Sequence, residues 1–277
     1  MTVRRALPLL AAAALLLTGC TDQAPPPHDP PAGPHLPPAG AQFDYQLGGA
    51  YDPPDGVDIV IRDRAAASDD SIYSVCYVNG FQTQPGELDT WPDDLLLRDD
   101  DGQPVIDPDW PDEVILDTRK ADEIAKIVGP WIRDCASDGF DAVEFDNLDT
   151  YTRTDGVLSR DHALDLATLL VDTAHDVGLA AGQKNAAEDA SFLRSRAGFD
   201  FAVVEECAAY EECFAYTEVY GDQVLVIEYT DNLPRPWDEV CADPETPASV
   251  VLRDRDLVTP DDPAYVFETC DGSLESR

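Results

Sequence analysis

The sequence predicts a (β/α)8 barrel, and three observations predict it. Short runs rich in β-branched and aromatic residues recur along the chain, amphipathic helix patterns separate several of them, and the stretch from 41 to 277 has the length such barrels occupy as one domain. The runs are Phe43 to Leu47, Ile72 to Val78, Val114 to Asp117, Asp141 to Phe145, Leu179 to Gln183, Phe201 to Val204, Gln223 to Glu228 and Ser249 to Leu252. Strands alternating with helices argue for a parallel sheet, and eight of them argue for closure. Apolar residues recur at helical spacing most clearly in Lys120 to Ser137 and Arg160 to Val177. His162 and His175 share the second pattern and read as a surface residue and a packed helix residue rather than as ligands.

What precedes position 41 is of another kind. Arg4 and Arg5 lead into an apolar stretch from Ala6 to Leu17, too short for a permanent membrane helix and suited to a cleaved signal peptide over 1–19. The stretch ends in Leu17-Thr18-Gly19-Cys20, and small residues before a cysteine are similar to the lipobox of bacterial lipoproteins. Cys20 is therefore expected to be the lipidated first residue of an exported protein that meets the membrane only through its lipid. The other reading is a plain secreted protein with a stray cysteine. Residues 20–40 are dominated by proline and form an extended tether.

Lys and Arg number 18 against 56 Asp and Glu, a formal charge of −38. Such a field repels nucleic acid and anionic lipid and concentrates cationic ligands; for an excess spread along the whole chain, solubility or adaptation to salt is the better account and a cationic substrate the second. Of seven cysteines, lipidation of Cys20 leaves an even six, which in an exported chain suggests disulfides. Six cysteines allow 15 pairings. Locality favours Cys207 with Cys213 and Cys241 with Cys270, leaving Cys76 with Cys135. No histidine–cysteine spacing suits zinc, and no G-x-S-x-G elbow, Gly-rich phosphate loop or H-E-x-x-H motif occurs, so neither metal nor cofactor is expected.

A barrel of this class builds its site at the C-terminal strand ends, and here those ends are mostly acids and amides. The first run offers Gln46, the second Tyr77 and Asn79, the third Asp117 and Arg119, the fourth Glu144, Asp146 and Asn147, the fifth Lys184 and Asn185, the sixth Glu205, and the seventh Glu228. Side chains alternate along a strand, so Glu144 and Asp146 share one side. Two carboxylates flanking a sugar linkage are what glycoside hydrolysis needs: one protonates the leaving oxygen, the other attacks or activates water. Any single acid in so acidic a chain is as readily a solvated loop residue or a helix cap, as Asp117 is before the helix at Lys120.

The run Gly139-Phe140-Asp141-Ala142-Val143-Glu144-Phe145-Asp146-Asn147-Leu148-Asp149-Thr150-Tyr151 resembles the G-F-D-G-V-E-P-D-N-x-D-x-Y segment of glycoside hydrolase family 114, the endo-α-1,4-polygalactosaminidases. Further blocks are similar in order: Phe43 to Gly49, Val75 to Gly80, Leu116-Asp117-Thr118-Arg119, Ala174 to Leu179 with Lys184-Asn185, Glu205 to Cys213, and Ile227-Glu228-Tyr229. Phe145 stands where the family carries proline, and Ala142 where it carries glycine. The resemblance implies a barrel hydrolase in which Asp146 is the nucleophile or base and Glu205 the partner acid. It further implies that Glu144, Asn147, Asp149, Lys184 and Tyr210 line the subsites, and that the substrate is a cationic galactosamine polymer. Two functions follow: an endo-acting glycosidase on an α-linked amino-sugar exopolysaccharide, expected to be a monomer, or a surface barrel that binds polysaccharide, or assists envelope assembly, without cutting it. Keeping Asp146 and Glu205 together favours the enzyme, because a binder has no need of two opposed acids.

Overall fold

The computed structural model describes residues 33–270 and 272; the expected leader, Cys20 and most of the proline tether lie outside the described residues. Eight strands run parallel, each paired with the next: β1 (Phe43–Gln46), β2 (Ile59–Asp63), β3 (Tyr73–Asn79), β4 (Ala142–Asp146), β5 (Ala180–Lys184), β6 (Phe201–Glu205), β7 (Val224–Tyr229) and β8 (Ser249–Arg253). A short β9 (Phe267–Thr269) returns antiparallel to β8. From β3 to β7 a helix follows each strand: α1 (Ala121–Ser137), α2 (Arg160–Asp176), α3 (Ala190–Ala197), α4 (Cys213–Tyr220) and α5 (Trp237–Ala242). The result is the expected (β/α)8 fold, with loops in place of the first two helices and the short β9 in place of the last.

One expected strand is not in the barrel. Val114, Ile115 and Leu116 are buried and apolar, so the run reads as a strand, but they make isolated antiparallel bridges to Ile106, Gln82 and Leu96. They belong to an insertion between β3 and α1. The barrel's second strand is instead Ile59–Asp63, which connects to its neighbours without a helix and so breaks the rhythm by which the others are read.

Alternation along the strands divides the core in two. Phe43, Tyr45, Ile59, Ile61, Val75, Tyr77, Phe201, Val203, Ile227 and Tyr229 pack inside the barrel, while Val78, Val143, Phe145, Ala181, Val204 and Val226 pack outward against the helices. Gly182 lets the Phe201 ring fill the interior: a Cβ there would lie 2.6 Å from it. Among the described residues no ladder joins β8 to β1. The seam is bridged by the fully buried Arg253 guanidinium, which donates to Asp44 Oδ1 at 2.9 Å and to the Tyr45 carbonyl.

All three expected disulfides are present: Cys76–Cys135 ties β3 to α1, Cys207–Cys213 closes the β6–α4 loop, and Cys241–Cys270 joins α5 to the residue after β9. His162 completes a capping box with Ser159 at the start of α2, and His175 pairs with Asp200 at 2.8 Å. Among the described residues no helix is long and apolar enough to cross a membrane.

Candidate active site

The C-terminal ends of β4, β5 and β6 turn away sharply. Asn147, Asn185 and Glu206, each one residue past its strand, have φ of 64°, 48° and 61°. Asparagine tolerates that left-handed conformation better than most residues; for Glu206 it is a local strain. The turns leave Asp146, Lys184 and Glu205 as the last inward side chains of their strands, on the floor of a cleft of about 610 Å³.

Lys184 is the hub of that floor and only 2% exposed. Its Nζ lies 3.3 Å from Glu205 Oε2, 3.5 Å from Glu144 Oε1 and 3.6 Å from Asp146 Oδ2, and donates to the Tyr45 hydroxyl at 3.1 Å. Because both oxygens touch one ammonium, Asp146 Oδ2 and Glu205 Oε2 are no more than about 7 Å apart, short of the roughly 10 Å upper limit that glycosidases use. Burial alone would lower the lysine's pKa; Asp146, Glu205 and Glu144 outweigh it and hold Lys184 well above its ordinary value.

The three carboxylates have different surroundings. Asp146 accepts from the Tyr77 hydroxyl at 2.7 Å and the Asn147 amide at 2.7 Å. Glu205 accepts from the Tyr229 hydroxyl at 2.5 Å and from Asn185 Nδ2 at 3.1 Å. For Glu205 burial works upward, but Lys184 and those hydrogen bonds prevail and hold its carboxyl below the ordinary value of 4.5. Glu144 lies beneath, fully buried, accepting from the Tyr45 hydroxyl through one oxygen and with no hydrogen-bond donor to the other among the described residues; burial pushes its pKa up to about 7.

Of the residues expected to line the site, Tyr77, Asp146, Asn147, Asp149, Lys184 and Glu205 do, and Glu144 supports them from below. The others stand apart. Gln46 is buried at the seam, donating to Asp44 and accepting from Arg62. Asp117 and Arg119 form a two-pronged pair at 2.6 and 2.9 Å ahead of α1, because their run belongs to the insertion and not to a barrel strand. Tyr210 is 63% exposed on the β6–α4 loop, outside the cleft lining. Glu228 has the opposite parity to the inward Ile227 and Tyr229, so it points behind the sheet, accepts from the Ala208 amide at 2.8 Å and props the β6–α4 loop.

Residues that sequence reasoning passed over also line the cleft: Asp107, Trp110 and Glu113 from the insertion, Arg153 after β4, and Arg255 after β8. Both arginines are committed, Arg153 to Asp107 at 2.7 Å and Asp149 at 3.0 Å, Arg255 to Glu206 at 2.7 Å and Asp231 at 2.8 Å. With its cations paired and further carboxylates at Asp63, Asp109 and Asp256, the cleft is negative and favours a positively charged ligand.

The sequence matches the model of Glycoside-hydrolase family GH114 over residues 23–275. No curated protein matches it. Among solved structures it is similar to Aspergillus fumigatus Ega3 in complex with galactosamine, with a TM-score of 0.69 and 21% identity over 82% of this chain and 96% of that one. It is also similar to the glycoside hydrolase domain of PelA from Pseudomonas aeruginosa, with a TM-score of 0.56 and 13% identity over 82% of this chain and 98% of that one.

Proposed function

Because the chain belongs to glycoside-hydrolase family GH114 and is a glycoside hydrolase, we propose that it cuts an α-linked amino-sugar exopolysaccharide internally, as an endo-α-1,4-polygalactosaminidase does, with Asp146 and Glu205 as its catalytic pair. The observation that carries this reading is the meeting of those two carboxylates over one buried lysine in an acidic cleft. A structure with the same fold was solved with galactosamine bound, which supports the sugar class.

In the proposed reaction Asp146 attacks the anomeric carbon while Glu205 gives its proton to the leaving glycosidic oxygen. Glu205 then takes a proton from the water that releases the sugar from Asp146. This double displacement proceeds with retention and calls for two carboxyl groups about 5 to 5.5 Å apart, a spacing that the shared contact with Lys184 permits. Lys184 keeps both carboxylates in place and offsets part of their mutual repulsion.

The protein is proposed to act outside the cytoplasm, held to a membrane through lipid on Cys20 and spaced from it by the proline tether; three disulfides suit an oxidising compartment. The functional test is incubation of the protein with partly de-N-acetylated galactosamine polymer. New reducing ends and shortening of internal chain length are expected. Polymer that is bound and left intact would favour the binding-protein reading.

A further inference from the structure

Glu205 is followed by Glu206, whose φ of 61° puts an L side chain in the left-handed region, a conformation that persists only where the surroundings fix it. Here they come from β7, from the loop after it and from the loop after β8. The Glu206 amide donates to the Ile227 carbonyl at 2.7 Å, and the Glu206 carboxylate accepts from Asn232 Nδ2 at 3.0 Å. Arg255, two residues past β8, closes the arrangement: its Nη1 and Nη2 donate to the two Glu206 oxygens at 3.0 and 2.7 Å.

The same guanidinium donates to Asp231 through Nε at 3.2 Å and Nη2 at 2.8 Å, so four of the five N–H groups a guanidinium carries are engaged within the protein. Its central carbon lies 4.1 Å from the centre of the Tyr229 ring, and the Tyr229 hydroxyl donates to Glu205 Oε1. Arg255 therefore touches the residue that turns the backbone away from Glu205 and the ring that orients the Glu205 carboxyl. A planar fork pairs with two carboxylates and stacks on a ring at once; a lysine ammonium does not. An arginine also has no attraction for a positively charged ligand, so its place on this cleft wall is explained by Glu205 and not by the substrate.

Resting on the glycosidase reading, we propose that Arg255 is a positioning residue, which through Glu206 and Tyr229 holds Glu205 at the angle that proton donation requires. It touches none of the reacting atoms. Its effect is confined to steps in which Glu205 handles a proton.

The test compares kcat/KM on two substrates: a galactosamine oligomer, whose leaving oxygen needs a proton, and the dinitrophenyl glycoside of such an oligomer, whose phenolate leaves without one. Arg255→Met should lower kcat/KM on the oligomer by about a hundredfold, the scale of a misplaced catalytic group, and leave the dinitrophenyl glycoside nearly unchanged, the pattern expected of Glu205→Gln itself. Arg255→Lys should restore little, because it keeps the charge and loses the fork. A second pair of variants reads the turn alone: both Glu206→Gly and Glu206→Ala lose the contact with Arg255, but glycine adopts the left-handed conformation freely, so Glu206→Gly should keep about fivefold more activity on the oligomer than Glu206→Ala. Equal losses on both substrates in folded Arg255→Met, or a Glu206→Ala variant as active as Glu206→Gly, would overturn the proposal and leave the hydrolase reading intact. Wild-type protein that cleaves neither substrate would remove that reading and the proposal with it.

Discussion

Lys184 meets three carboxylates at once, and the hydrogen bonds around each decide what it can do. Glu205, held below its ordinary value chiefly by Lys184 against burial, is charged at neutral pH. As the proton donor it must be protonated in the free enzyme, so kcat/KM should fall as pH rises through that depressed pKa, giving an acid optimum. A profile that stays flat through neutral pH would give Glu205 the ionised role and pass proton donation to Asp146. Much of this floor is legible in the sequence, because Glu144 and Asp146 alternate on one strand and Lys184 and Glu205 end the next two. Glu228 was misplaced although the same alternation separates it from Tyr229. Glu113 and Trp110 lie outside the barrel strands, and the folded insertion brings them to the cleft.

The β3–α1 insertion accounts for the one strand the sequence assigns wrongly and for the cleft wall it does not reveal. Val114 to Leu116 have the composition of a buried strand, and composition does not say which partner buries it. Ile59–Asp63 went unread for the complementary reason, since no helix sets it off from its neighbours. The Cys76–Cys135 bond, with a sequence separation of 59, closes the loop that contains the insertion. By loop-closure entropy, Cys76→Ala with Cys135→Ala should lower unfolding stability by about 4 kcal/mol in denaturant titration. An unchanged midpoint would mean that the barrel and α1 hold the insertion without the bond.

For the molecule as a whole, buried acids set the pH range of stability. Glu113, Glu144 and Glu228 are each pushed up to about 7, first of all by burial. Since their folded values exceed the unfolded 4.5, their contribution is complete below that value and is lost as pH rises through about 7. Glu205 acts oppositely, losing its contribution as pH falls through its lowered value. Repulsion within a chain of formal charge −38 adds to the alkaline loss. Tm should therefore be higher at pH 5.5 than at pH 8; a Tm that rises with pH across this range would mean these acids ionise freely in the fold. The lipid anchor is tested in cells: Cys20→Ala should leave the membrane fraction or fail to mature, and membrane-bound protein of mature size would exclude lipidation at Cys20. The central claim, that Asp146 and Glu205 perform the hydrolysis, is tested most directly by the turnover of Asp146→Asn on partly de-N-acetylated galactosamine polymer, with folding checked by circular dichroism. The variant should fold and bind the polymer but cut it roughly a thousandfold more slowly or worse, because the lost group acts in the transition state and not in packing. Normal turnover by the folded variant would contradict the assignment.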